Sequence, residues 1–141
     1  MTHFVIDPQT LLALVRGERL LHPSHQLVAP NCLRSEALQL LLDAVHRDEL
    51  IEREALDVHE QMTGIKIRLL GDRSSRQTAW RIARQNGWEA IRDAEYVAVT
   101  MLQADALVTV DSELAAKADG LISVVEFEML FVGAVDVEHD G

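Results

Sequence analysis

Short apolar runs alternate along the chain with longer stretches at helical spacing, and turn-forming residues separate them. Phe4 to Ile6 is a partly β-branched run that breaks at Asp7-Pro8, where proline cannot continue a ladder, so a buried first strand ending at Asp7 is predicted. Thr10 to Val15, with Leu11, Leu12, Leu14 and Val15, suits a helix packed on a sheet and stops near Arg16-Gly17. Gln26 to Ala29 reads as a second strand, and Pro30-Asn31 as the turn before a helix. That helix carries Leu33, Ala37, Leu38, Leu41, Leu42 and Val45 on its apolar side and Glu36 in its first turns. A further helix is expected over about 49–61. Ile65, Ile67 and Leu69 then alternate with Lys66 and Arg68, the period of a half-buried strand.

Ser74 or Ser75 is placed to cap a helix with Ala79, Trp80, Ile82 and Ala83 inward, and Asn86-Gly87 to end it, because both residues tolerate left-handed backbone angles. Another helix starts near Asp93, with Ala94, Val97, Ala98 and Met101 inward. Ala106 to Val110 is the clearest buried strand and ends at Asp111. Ser112 to Ala118 follows as a short helix closed by Asp119-Gly120, and Ile122 to Val125 as a last core strand. The tail from Glu126 to Gly141 follows neither period, leaving edge strand, helix and partner surface open. Strands alternating with helices predict an α/β fold with a mainly parallel central sheet.

A chain of 141 residues, 48% hydrophobic and 26% charged, has the composition of one folded domain spanning 1–141. Cys32 is the single cysteine, which excludes an internal disulfide and a thiolate metal cluster within one chain. Neither a leader-like N-terminus nor a run of about 20 apolar residues is found, so a cytoplasmic location with no membrane contact is expected. The net charge of −10 argues against nucleic acid as a partner. Its distribution changes that picture. Between residues 66 and 92, seven basic side chains meet only Asp72 and Glu89, a net +5 that leaves −15 elsewhere. A basic strip beside an acidic pocket is one reading, and a solvated helix face is the other.

In parallel α/β sheets, functional groups gather beyond the carboxyl ends of the strands. Asp7 and Asp111 each follow an apolar strand, while Glu36 and Asp93 sit near helix starts. Crowded carboxylates persist at neutral pH only when protons or cations compensate them. Oxygen-only ligands suit Mg²⁺ or Mn²⁺, which activate water for phosphodiester hydrolysis. Taken singly, each acid has a plainer reading. Asp93 and Asp111 fit a cap or first turn, Glu36 a surface helix position, and Asp7 a turn before proline.

Four segments resemble the PIN-domain family, and specifically the VapC-type toxins of toxin-antitoxin pairs. They are Phe4-Val5-Ile6-Asp7, Leu33-Arg34-Ser35-Glu36-Ala37-Leu38, Asp93-Ala94-Glu95-Tyr96-Val97-Ala98, and Val108-Thr109-Val110-Asp111-Ser112-Glu113-Leu114. The resemblance spans nearly the whole chain. It implies a three-layer α/β/α domain acting as a metal-dependent endoribonuclease, with Asp7, Glu36, Asp93 and Asp111 as catalytic metal ligands for Mg²⁺ or Mn²⁺. Thr109 would be a polar support. Implied partners are RNA substrate, a cognate antitoxin that plugs the site, often with a basic residue, and a second copy in a homodimer. Family members carry a small hydroxyl or amide residue soon after the first aspartate, as in Asp-Thr-Ser. Here the run is Asp7-Pro8-Gln9-Thr10, a departure that leaves open whether Thr10 or Gln9 substitutes. Glu95 lies two residues from Asp93 and points elsewhere on the helix, an auxiliary acid at most.

Two other readings compete. A non-catalytic member of the same fold, binding RNA or protein, is motivated by the altered run after Asp7. A receiver domain also gathers aspartates at strand ends, but it needs a phosphate-contacting lysine after a late strand, and Lys117 is poorly placed for that. His22-Pro23-Ser24-His25 reads as loop histidines, Trp80 as core, and Trp88 as open to either burial or base stacking.

Overall fold

A computed structural model of the chain describes residues 1–133, in which five strands align in the order β3-β2-β1-β4-β5, all parallel. The strands are β1 (Thr2–Ile6), β2 (His25–Pro30), β3 (Ile67–Leu70), β4 (Ala106–Val108) and β5 (Val124–Val125). Between them run α1 (Pro8–Arg16), α2 (Leu33–His46), α3 (Glu52–Thr63), α4 (Arg73–Asn86), α5 (Ile91–Gln103) and α6 (Ser112–Ala118). The chain steps from β1 outward to β3, then returns to β4 on the far side of β1. Right-handed crossovers taken in opposite directions send helices to opposite faces. Accordingly α1, α2 and α3 pack on one another, whereas α4 packs on α5 and α5 lies across β1, β2 and β4. The result is a three-layer α/β/α domain.

The central strands are fully covered, with Val5, Ile6, Leu27, Val28, Ala29, Leu107 and Val108 all buried, as parallel strands enclosed on both faces must be. Pro8 opens α1, its fixed φ suiting the first helical position, and Leu11, Leu14 and Val15 form the inward stripe. Gly87 closes α4 with a left-handed φ of 67°, as its sequence position predicts.

Several boundaries and faces differ from expectation. The cap of α4 is Asp72 rather than Ser74 or Ser75, and its carboxylate accepts from the Ser75 amide at 2.8 Å and the Ser75 hydroxyl at 2.6 Å. β4 ends at Val108, so Asp111 stands three residues beyond the ladder. Trp80 is 66% exposed, because the inward row of α4 is made by Thr78, Ala79, Ile82 and Ala83. Met101, near the end of α5, is also exposed. On α2 the buried stripe is Leu33, Ala37 and Leu41. Leu38 and Leu42, one step round the helix, instead line an open groove with Leu56 of α3. His25 begins β2 and is buried against the edge of Phe4, at 4.9 Å between ring centroids, rather than lying in a loop.

The tail resolves into a 3₁₀ helix over Phe127–Phe131, with Leu130 buried and Phe127 edge-on to Phe131. The Arg19 guanidinium covers the Phe131 ring and forks the Glu128 carboxylate at 2.7 and 3.0 Å. The remainder of the tail, 134–141, lies outside the described residues. Among the described residues no helix is long and apolar enough to cross a membrane.

Candidate active site

The strand order reverses between β1 and β4, and a crevice opens at the carboxyl ends of two strands whose connections leave in opposite directions. Asp7 follows β1 and Asp111 follows β4, so the two acids flank that switch point. Glu36 enters from the same edge, since α2 begins just after β2. Asp93 does so as well, because α5 feeds the amino end of β4 and its own first turn therefore lies at the opposite rim. All four acids occupy one edge of the sheet.

Asp7 is 2% exposed. It stands at the N-cap position of α1 yet caps nothing; its carboxylate instead accepts from the Thr10 hydroxyl. The same Thr10 oxygen accepts the Val110 amide at 3.0 Å, and Thr109 Oγ1 accepts the Asp111 amide at 3.0 Å. These two hydroxyls take over as the chain leaves the β4 ladder. Of the two residues weighed after Asp7, Thr10 bonds to it, whereas Gln9 is exposed. Burial pushes the Asp7 carboxyl above the ordinary aspartate range, and the neighbouring Asp111 charge adds to this. The Thr10 and Thr109 hydroxyls act in the other direction. No cation pairs with Asp7 among the described residues.

Asp111 does cap α6, accepting from the Glu113 and Leu114 amides at 3.0 and 3.4 Å through Oδ1, which leaves Oδ2 outside those bonds. The plainer reading of Asp111 is therefore true of one of its oxygens.

Glu36 and Asp93 are held differently. The Tyr96 hydroxyl donates to Glu36 Oε1 at 2.6 Å, and Cys32 Sγ lies 3.3 Å from the same oxygen. Arg92 Nε sits 3.2 Å from Oε2. Burial, followed by the hydrogen bond to Glu36 and then its charge, pushes the Tyr96 phenol upward and the Cys32 thiol to about 12, so both remain protonated donors. Asp93 receives Lys117 Nζ at 2.9 Å, and that ammonium also stands 4.9 Å from the centre of the Trp88 ring. Glu95 is nearer to Glu36 than its offset from Asp93 suggested. Burial and then the Glu36 charge raise its carboxyl, with Arg76 opposing.

The corner before α2 is fitted closely to the end of β3. The Asn31 amide donates to the Leu70 carbonyl at 2.8 Å, and Arg76 Nη1 donates to the Gly71 carbonyl at 2.8 Å. A Cβ on Gly71 would stand 2.0 Å from the Asn31 side-chain nitrogen.

Tyr96, Arg92 and Lys117 escaped the sequence reading as site residues. Tyr96 carried a signal, being the single tyrosine of the chain within an apolar helix, where a buried phenol needs a partner. Lys117 was set aside for its distance from a phosphate site, and no pattern along the chain announces its pairing with Asp93.

An all-oxygen donor set beside a buried, cation-free aspartate fits a hard divalent ion. As the side chains stand, no three His, Cys, Asp or Glu groups converge on one point among the described residues. Glu36 and Asp93 are turned toward Arg92 and Lys117.

Comparison with known proteins is sparse. No protein-family model and no curated protein matches the chain. Among solved structures, the crystal structure of PAE2754 from Pyrobaculum aerophilum is similar, with a TM-score of 0.70 and 24% identity over 98% of this chain and 96% of that one. At this identity the likeness establishes the fold alone.

Proposed function

We propose that the chain is a metal-dependent endoribonuclease that hydrolyses RNA phosphodiester bonds, acting as the VapC-type toxin of a toxin-antitoxin pair in the cytoplasm. The observation that carries this reading is the buried Asp7, with no cation paired to it among the described residues, next to Asp111 at the switch point of a parallel sheet. A buried carboxyl with hydroxyl partners but no cation is costly to ionise, and a group perturbed in this way beside a second acid is a candidate for completion by a cation. Asp7, Asp111, Glu36 and Asp93 would hold Mg²⁺ or Mn²⁺. When bound, the ion activates water and steadies the charge of the scissile phosphate and the leaving oxygen. Thr10 and Thr109 fix the Asp7–Asp111 half by hydroxyl bonds, and Tyr96 orients Glu36. Arg92 and Lys117 pair with Glu36 and Asp93 and would neutralise them in the absence of an ion. An antitoxin that inserted a basic side chain would serve the acids in the same way, and homodimerisation belongs to the same reading.

The test is cleavage of RNA by antitoxin-free protein with added Mg²⁺ or Mn²⁺. Asp7→Asn and Asp93→Asn are expected to lower the rate more than about 10²-fold, since an ion misplaced at the reacting phosphate forfeits several kcal/mol. If these variants cut as well as the parent, or if every RNA offered stays intact, the proposal is wrong. The second reading is a non-catalytic module of the same fold that binds RNA or a protein; absence of metal binding in calorimetry together with intact partner binding would favour it.

A further inference from the structure

Helix α4 is the most basic element of an acidic protein. It carries Arg73, Arg76, Arg81 and Arg84 with no acidic residue, in a chain of net charge −10. Residues three and four apart share a helix face, so Arg76, Gln77, Trp80 and Arg84 form one outward stripe, and all four are exposed. Arg81 and Arg84 enter no ion pair among the described residues. Trp80 leaves about two-thirds of its surface in water at the centre of that stripe. A groove lined by Trp80, Arg84, Trp88, Glu89 and Ile91 shares Trp80 and Arg84 with a second depression that Gln77 and Arg81 also line.

This track reaches the acids. Trp88 at its inner end lies under Lys117 Nζ, which is bonded to Asp93.

We infer that the α4 groove binds single-stranded RNA leaving the acidic site, with an unpaired base stacked on Trp80 and phosphates met by Arg81 and Arg84. The choice of RNA rests on the nuclease reading. The single-stranded form comes from the indole, since aromatic side chains stack on bases of any identity once these are unpaired. Unpaired arginines supply the matching charge. A second copy of the chain is a poorer occupant. A two-fold interface sets the same basic patch on both copies face to face, adding like charge from both sides, whereas interface cores are depleted in charge.

The experiment uses the full chain in a chelator, so that RNA is bound but not cut, and compares an unstructured RNA oligonucleotide with a duplex of the same sequence. Trp80→Ala should weaken binding of the single strand about tenfold or more, while Trp80→Phe stays near the parent and the duplex is little affected. Arg81→Gln with Arg84→Gln should flatten the slope of log affinity against log salt by about 1.4, two phosphates at about 0.7 each. Sedimentation of Trp80→Ala runs alongside. Unchanged affinity for the single strand overturns the inference. So does a drop in affinity that appears only as a dimer becomes monomer, which would assign the face to a second copy. Tight binding that stays sensitive to Trp80 but yields no cleavage when metal is restored sinks the nuclease reading and leaves the groove.

Discussion

The acidic site has two halves, and they are built on different principles. Asp7 and Asp111 are set by the backbone, through strand ends, a helix cap and two threonine hydroxyls that also bind main-chain amides. Glu36 and Asp93 stand on helices and are held through long side chains, Tyr96 and Arg92 for one and Lys117 for the other. The first half is fixed before any ligand arrives. The second rests on cations that reach solvent, Arg92 and Lys117, and ion pairs at a protein surface are worth only about 0–1 kcal/mol, so it is the half more open to exchange. Preorganisation and exchangeability are thus divided between two pairs of acids.

Thr10→Val should strike the fixed half hardest. It removes the hydroxyl bond to buried Asp7 and leaves the Val110 amide without that acceptor, so a stability loss of about 1–3 kcal/mol is expected in chemical denaturation. No measurable loss would show that Thr10 does not lock the two strand ends together. For the exchangeable half, Lys117→Met should tighten Mn²⁺ binding by up to about fivefold in calorimetry, because a competitor for Asp93 is gone. Affinity that falls instead would make Lys117 a support of the ion rather than its rival.

The smallest effect concerns pH. Asp7 has a folded-state pKa raised mainly by burial, so the folded chain holds this proton more tightly than the unfolded one does. Its contribution favours folding at low pH and is lost as pH rises through the raised value. Asp7→Asn in chelator should therefore melt above the parent at neutral pH, with the gap closing toward about pH 4. A gap that does not depend on pH would mean that Asp7 carries no proton penalty.

The layers and the rim were legible in the chain because they follow from period and punctuation. Phe4 to Ile6 before Asp7-Pro8, and Ser112 to Ala118 before Asp119-Gly120, announce strand and helix with their ends. Faces were harder where two apolar rows compete. Leu38 and Leu42 match the inward spacing of α2 as well as Leu33, Ala37 and Leu41 do, and only the packing partner decides between them. Trp80 misled in the same way, since apolar character on a helix with so little apolar surface was taken for inwardness. The end of β4 moved because Thr10, some hundred residues earlier, supplies the acceptor that draws Val110 out of the ladder. Long-range partners of this kind, Lys117 for Asp93 among them, leave no periodic trace.

Gly71 ties the corner that launches α4 to the corner that launches α2. A methyl group there would act as a wedge on Asn31, one residue before Cys32 and five before Glu36, while the neighbouring carbonyl anchors Arg76. Gly71→Ala would therefore be felt at a carboxylate it never touches and at the foot of the arginine-rich helix together. One added carbon would thus disturb two corners of the molecule together.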